Sequence, residues 1–136
     1  MPTLLIVDDE SEMVLVLKNF FTRNRFTVLS ANRGREALAI LESNKKIDMM
    51  ILDMRMPGMK GLEVLKELHE KVIEVPVLVL TGSLNFSHFV EKIGFMGYSE
   101  EDVFFKPVNL NDLLTHVNKR LKQSLRNLKG KKYQEE

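Results

Sequence analysis

Apolar residues fall in five short runs along the chain, each closed by polar or turn-forming residues. Thr3–Val7 (TLLIV) stops at Asp8, Asp9 and Glu10; residues 26–31 alternate; residues 47–52 stop at Asp53. Residues 75–80 close at Thr81 and Gly82, and Val103–Phe105 is stopped by Lys106 and Pro107. Runs this short and this uniformly apolar predict strands buried on both faces. Between them the period lengthens to that of a helix. Met13, Leu17, Phe20 and Phe21 share one face over Ser11–Arg23; Ala37, Leu38 and Leu41 do so over residues 34–43; Leu62, Leu65 and Leu68 over residues 62–71. Phe86, Phe89, Val90 and Ile93 make a fourth stripe, followed by a connector of Gly94, Gly97 and the acidic residues 99–102. The last helix starts near Asn109, a suitable N-cap, and carries Leu110, Leu113, Leu114, Val117, Leu121, Leu125 and Leu128 on its seam.

A strand and a helix repeated five times predict an α/β domain whose parallel sheet is covered on both faces. Right-handed crossovers leave a flavodoxin-like doubly wound (βα)5 fold with a five-stranded parallel sheet of order 2-1-3-4-5 as the expected topology. Residues 1–121 form this single domain, and residues 122–136 are read as a basic extension of the last helix and a tail. Hydrophobic residues at 44% and charged residues at 29% suit a soluble globular chain. The formal charge of +1 hides an uneven distribution, because Lys119, Arg120, Lys122, Arg126, Lys129, Lys131 and Lys132 crowd the end. The absence of cysteine excludes disulfides and thiolate metal sites. No run approaches the ~20 apolar residues of a membrane span, and MPTLLIVDDE is not a signal peptide. A cytoplasmic protein without membrane contact is expected.

The chemistry lies at the strand ends: Asp8 and Asp9 after the first strand, Asp53 after the third, Thr81 after the fourth and Lys106 after the fifth. In a parallel sheet these ends share one edge, where open α/β sheets bind ligands. Packed carboxylates repel unless a cation sits among them, and oxygen-only ligands suit Mg²⁺, which in turn holds phosphate oxygens. The Lys106 ammonium and the Thr81 hydroxyl would meet further phosphoryl oxygens, and Asp53 is a candidate nucleophile for an aspartyl phosphate.

The segments LLIVDDE, ILDMRMPGMKG, VLVLTG and VFFKP, spaced as they are, resemble the receiver domain of two-component response regulators. The likeness covers residues 4–121. It implies that Asp53 is the phosphoacceptor, taking a phosphoryl group from a sensor histidine kinase or phosphotransfer protein with Mg²⁺ and then controlling a partner or a missing output domain. It also implies direct Mg²⁺ binding by Asp9, Asp53 and the backbone carbonyl of Arg55, with Asp8 acting through water. Thr81, Gly82 and Lys106 would contact phosphate, and the Lys106–Pro107 peptide would be cis, an isomer tolerated before proline.

Three departures stand out. The family's aromatic switch position, paired with Thr81, holds Val103, and alternation turns Phe104 away from that face. The connector around residues 98–102 is longer than usual, and Arg55 and Ser83 occupy positions that tune dephosphorylation. The rival readings are a receiver-like interaction module without phosphorylation-driven switching, an aspartyl-phosphate phosphatase and a flavodoxin-like cofactor carrier. Arg55 stands where the phosphatase needs a second acid, and Asp8, Asp9 and Glu10 would repel a cofactor phosphate. The protein is expected to be a phosphoacceptor rather than an enzyme. The basic helix end reads as solvated, suiting the negative pole of the helix dipole, with no direct nucleic acid contact expected. Leu121, Leu125 and Leu128 offer a homodimer seam or a linker. His69, His88 and His116 read as isolated surface residues, and Met54, Met56 and Met59 as packing beneath the loop.

Overall fold

Five parallel strands form one sheet in the order β2-β1-β3-β4-β5. The computed structural model describes the backbone of residues 1–43, 45–55, 60–82 and 86–134, and their side chains apart from 86–89 and 127–134. The expectations for Met56, Pro57, Gly58, Met59 and Ser83, and for the side chains of Phe86, His88, Phe89 and Leu128, lie outside the described residues. The elements follow in chain order: β1 Thr3–Val7, α1 Ser11–Arg23, β2 Thr27–Ala31, α2 Gly34–Glu42, β3 Met49–Asp53 and α3 Gly61–Glu70. After them come β4 Val77–Thr81, α4 Phe86–Phe95, a 3-10 turn at Glu100–Asp102, β5 Val103–Phe105 and α5 Leu110–Gln134.

Alternation along each strand divides the core in two. Leu5, Val7, Met50, Leu52, Val77 and Val79 face one way and meet Ala37, Leu38, Val64, Leu65, Leu68 and Ile93 from α2, α3 and α4. Leu4, Ile6, Met49, Ile51, Leu78 and Leu80 face the other way and meet Leu17, Phe21, Leu113 and Val117 from α1 and α5. Continuous apolar runs are needed because both faces are covered.

β3 and β4 sit further along the chain than the apolar runs predict. Their register pairs Asp53 with Leu80 and Thr81 with Phe105, so both polar residues belong to strands. Apolar content marks a run, whereas its neighbours' backbone groups decide which end is paired. Similarly, Gly94 lies within α4 and not in the connector. The Asn109 cap is present: the Asp112 amide donates to Asn109 Oδ1 at 3.0 Å.

α5 is fastened to the start of β5 by a buried acid. Asp102 is only 3% exposed and meets His116 Nε2 at 2.8 Å and Arg120 Nη2 at 3.0 Å. His116 also meets the Phe104 ring edge-on at 5.2 Å. The expectation of an isolated His116 is therefore wrong. Its partner is fourteen residues away in sequence and is brought close only by the crossover from β5 to α5.

Three helices end in one hydrogen-bond pattern. After α1, α3 and α4 the amides of Phe26, Ile73 and Tyr98 donate to Phe21, Leu68 and Ile93, and those of Arg25, Val72 and Gly97 to Thr22, His69 and Gly94. This Schellman arrangement needs a left-handed residue after the cap, normally glycine. Only α4 supplies one there, Gly97 at φ 87°; Arg25 and Val72 take φ 69° and 55°. For a β-branched residue that conformation costs roughly 1–2 kcal/mol. Val72 is 77% exposed, so its side chain recovers little by burial. Val72→Gly is therefore expected to raise the urea-unfolding free energy by about 1 kcal/mol; an unchanged or lower value would show that the backbone is unstrained.

Candidate functional site

The carboxyl edge of the sheet gathers charge from three strands. Asp53, the last residue of β3, is 1% exposed, as is Asp8, which follows β1. The Asp8 amide extends the β1–β2 pairing by donating to Ala31 O, and its side chain then turns the chain, accepting from the Glu10 amide at 2.9 Å. That turn brings positions 8 and 10 to the same side. Oxygens of Asp8, Glu10 and Asp53 lie within 4.8 Å of one another, a group able to hold a metal ion.

Lys106 enters from the end of β5. Its Nζ lies 3.1 Å from Asp53 Oδ1, 3.8 Å from Glu10 Oε1 and 3.9 Å from Asp8 Oδ2. Its backbone is fixed by donation to Thr81 O at 2.9 Å, and the Lys106–Pro107 peptide is cis. Thr81 ends β4 beside Asp53's strand and is 3% exposed. The Arg55 amide donates to Asp53 Oδ1 at 3.3 Å, which holds that peptide against the acid, while the Arg55 side chain is exposed. Gly82 is exposed, and a Cβ there would meet nothing within 4 Å among the described residues.

Gly61, at the start of α3, has no such room. A Cβ would come within 2.6 Å of Met54 Sδ and 2.9 Å of the Asp53 carbonyl oxygen. Only glycine lets α3 begin this close to the strand bearing the acid.

Three carboxylates face one ammonium. Burial raises the Asp8 pKa to about 6, helped by the neighbouring Asp53 charge and opposed by the Glu10 amide and Lys106. Burial pulls the Lys106 pKa down, but the hydrogen bond to Asp53 and the charges of Asp53, Asp8 and Glu10 outweigh it, so the net direction is up. Asp8 Oδ2 and Asp53 Oδ2 are buried without a hydrogen-bond donor among the described residues. Buried carboxylate oxygens are normally satisfied, so these two fit a hard divalent cation bound by oxygen.

The structure thus brings Asp8, Asp53 and Lys106 together, with Thr81 and Arg55 on adjoining backbone. Asp9 is exposed and stands outside the converging carboxylates; Glu10 is the third. Sequence reading did not include Glu10 in the site. The available signal was its two-residue offset from Asp8, which returns a side chain to the same side of an extended chain. Val103 is half-buried against the α2–α4 core, and Phe104 packs on the opposite one, as alternation predicted.

Residues 4–118 match the family model of the response regulator receiver domain. The chain belongs to that family. Solved receiver domains are among its structural neighbours. It is 30% identical over 118 residues to the response regulator SaeR of Staphylococcus aureus, a match covering 87% of this chain and 50% of SaeR. The chain thus spans about half the length of the curated relatives it matches. Among solved structures it is similar to the Francisella response regulator 1452 receiver domain, with TM-score 0.82, 27% identity and coverage of 91% and 99%. It is also similar to the Vibrio cholerae chemotaxis protein CheY4, with TM-score 0.76, 26% identity and coverage of 88% and 98%. Among the described residues, no helix of this receiver domain is long and apolar enough to cross a membrane.

The raised Asp8 pKa has a consequence for the receiver's stability. Between the ordinary carboxylate value of 3.8 and about 6, the folded state holds a proton that the unfolded chain has released. Stability without divalent ions therefore falls as pH rises through that window, by roughly 2–3 kcal/mol. Urea unfolding in chelator is expected to show this slope for wild type and its loss in Asp8→Asn, with the variant more stable at neutral pH. Parallel pH profiles would contradict it.

Proposed function

We propose that this receiver domain accepts a phosphoryl group on Asp53 from a phosphohistidine of a sensor histidine kinase or phosphotransfer protein. A carboxylate oxygen of Asp53 attacks phosphorus, the phosphorus–nitrogen bond breaks, and the imidazole leaves with the bonding pair and takes a proton from solvent. The observation that carries this reading is Asp53 itself: a buried carboxylate with one oxygen on Lys106 at 3.1 Å and the other without a hydrogen-bond donor among the described residues.

The surrounding residues have separable roles. Lys106 neutralises charge on the transferred group and, through its contact with Asp53, aligns the nucleophile. The Thr81 hydroxyl and the Gly82 amide donate to other phosphoryl oxygens. Asp8 and Asp53 would hold Mg²⁺, with the Asp9–Glu10 turn supplying a further carboxylate and the Arg55 carbonyl another oxygen. Bound there, the ion supplies neutralisation of the incoming phosphoryl charge.

The protein acts as a stoichiometric acceptor rather than a turnover enzyme, in the cytoplasm, and passes its state to a downstream partner or an output domain. A second reading, a receiver-like module that does not switch on phosphorylation, is favoured by Val103, which offers no aromatic ring to follow a moving Thr81.

Incubation with a small-molecule phosphoryl donor and Mg²⁺ tests the main reading. Wild type should gain an acid-stable, hydroxylamine-labile phosphoryl group, and Asp53→Asn should gain none. Equal labelling of both would refute the assignment.

A further inference from the structure

The turn that joins β1 to α1 carries three acids in succession, Asp8, Asp9 and Glu10, and they do not share one direction. Asp8 is buried. Asp9 is exposed and stands outside the carboxylate oxygens that lie within 4.8 Å of one another, whereas Glu10 is among them with Asp8 and Asp53. Alternation along an extended chain sends neighbours to opposite sides and next-but-one residues to the same side. Glu10 keeps extended backbone, at φ −83° and ψ 105°, and so returns to the side of Asp8.

The Glu10 backbone is held at both of its polar groups. Its amide donates to Asp8 Oδ1 at 2.9 Å, and its carbonyl accepts from the Val14 amide at 3.1 Å as α1 begins. Its side chain makes no capping bond to that helix. Lys106 Nζ lies 3.8 Å from Glu10 Oε1, longer than a hydrogen bond, and 3.1 Å from Asp53 Oδ1, so the ammonium is engaged chiefly with Asp53. Glu10 thus combines a fixed root with a carboxylate at the mouth of the site, its side chain 66% exposed.

Beside it, Asp8 Oδ2 and Asp53 Oδ2 are buried without a hydrogen-bond donor among the described residues. Three carboxylates around one ammonium leave two negative charges, which one divalent cation balances. A donor set made of oxygen alone suits Mg²⁺ or Mn²⁺. We propose that Glu10, and not Asp9, is the carboxylate that the β1–α1 turn gives to the divalent cation. Resting on the reading of Asp53 as a phosphoacceptor with a cation at its side, this assignment gives the metal contact to Glu10 where the family resemblance implies Asp9. Asp9 then acts only through a charge that solvent and salt screen.

Replacing either acid by its amide removes one negative charge from adjacent positions, so a difference between the two variants reports contact rather than field. Mn²⁺, which takes the same hard oxygen ligands as Mg²⁺, is the probe. Its free-ion signal in electron paramagnetic resonance, read with the full chain at neutral pH and moderate salt, gives each protein's affinity for the metal alone. Glu10→Gln should bind Mn²⁺ at least about tenfold more weakly than wild type, the loss that even an outer-shell partner of a metal ligand causes. Asp9→Asn should lose about threefold or less, as a screened charge does, and Asp53→Asn should lose at least as much as Glu10→Gln. Urea unfolding in chelator checks that each variant folds. Glu10→Gln binding like wild type, or Asp9→Asn losing as much as Glu10→Gln or more, would overturn the assignment of Glu10 while leaving the cation site standing. Wild type that binds no Mn²⁺, or Asp53→Asn that binds it as tightly as wild type, would overturn the site reading beneath it and the assignment with it.

Discussion

Like charges forced together at a sheet edge are the constraint on which the rest of this structure depends. Asp8 and Asp53 are 1% exposed and their neighbour Glu10 shares their space, yet the described cation facing all three is Lys106. Two of their buried oxygens have no hydrogen-bond donor among the described residues. A chain selected for stability alone would neutralise or remove one of these acids, since unpaired buried charge is among the costliest features a fold can retain. The arrangement makes sense as a place where charge is completed from outside, by a cation and then by a phosphoryl group.

The scaffold holds that unfavourable cluster on a sheet packed on both faces. Each central strand buries both faces, one against α1 and α5 and the other against α2, α3 and α4. Gly61 lets α3 press against the Asp53–Met54 backbone, and the Lys106 amide is tied to Thr81 on the neighbouring strand. Asp102 then ties the start of β5 to His116 and Arg120 of α5. Lys106 is thus separated by only the three residues of β5 from the acid that anchors α5.

Much of this was legible because strand runs and strand-end residues are local signals. TLLIV before two acids and ILD before a proline–glycine loop place their polar residues at an edge whatever the helices do. What could not be read depends on contacts between distant positions. Asp53 and Thr81 lie inside their strands because Leu80 and Phe105 pair with them. His116 looked solitary because Asp102 is supplied by another element. Arg25 and Val72 gave no sign of left-handed backbone, since that conformation is signalled by glycine and neither is one. Glu10 stood in plain view, but the turn that aims it depends on an Asp8 side-chain bond.

If the carboxylates are poised for an added cation, folding and ion binding must be linked. The most direct measurement is the thermal unfolding free energy at neutral pH with and without Mg²⁺, in wild type, Asp8→Asn and Asp53→Asn. Binding at a hundredfold excess over the dissociation constant stabilises by about 2.7 kcal/mol. At an Mg²⁺ concentration saturating for wild type, a gain of that order is predicted for wild type and only a small fraction of it for either variant. No gain in wild type, or an equal gain in all three proteins, would contradict the account.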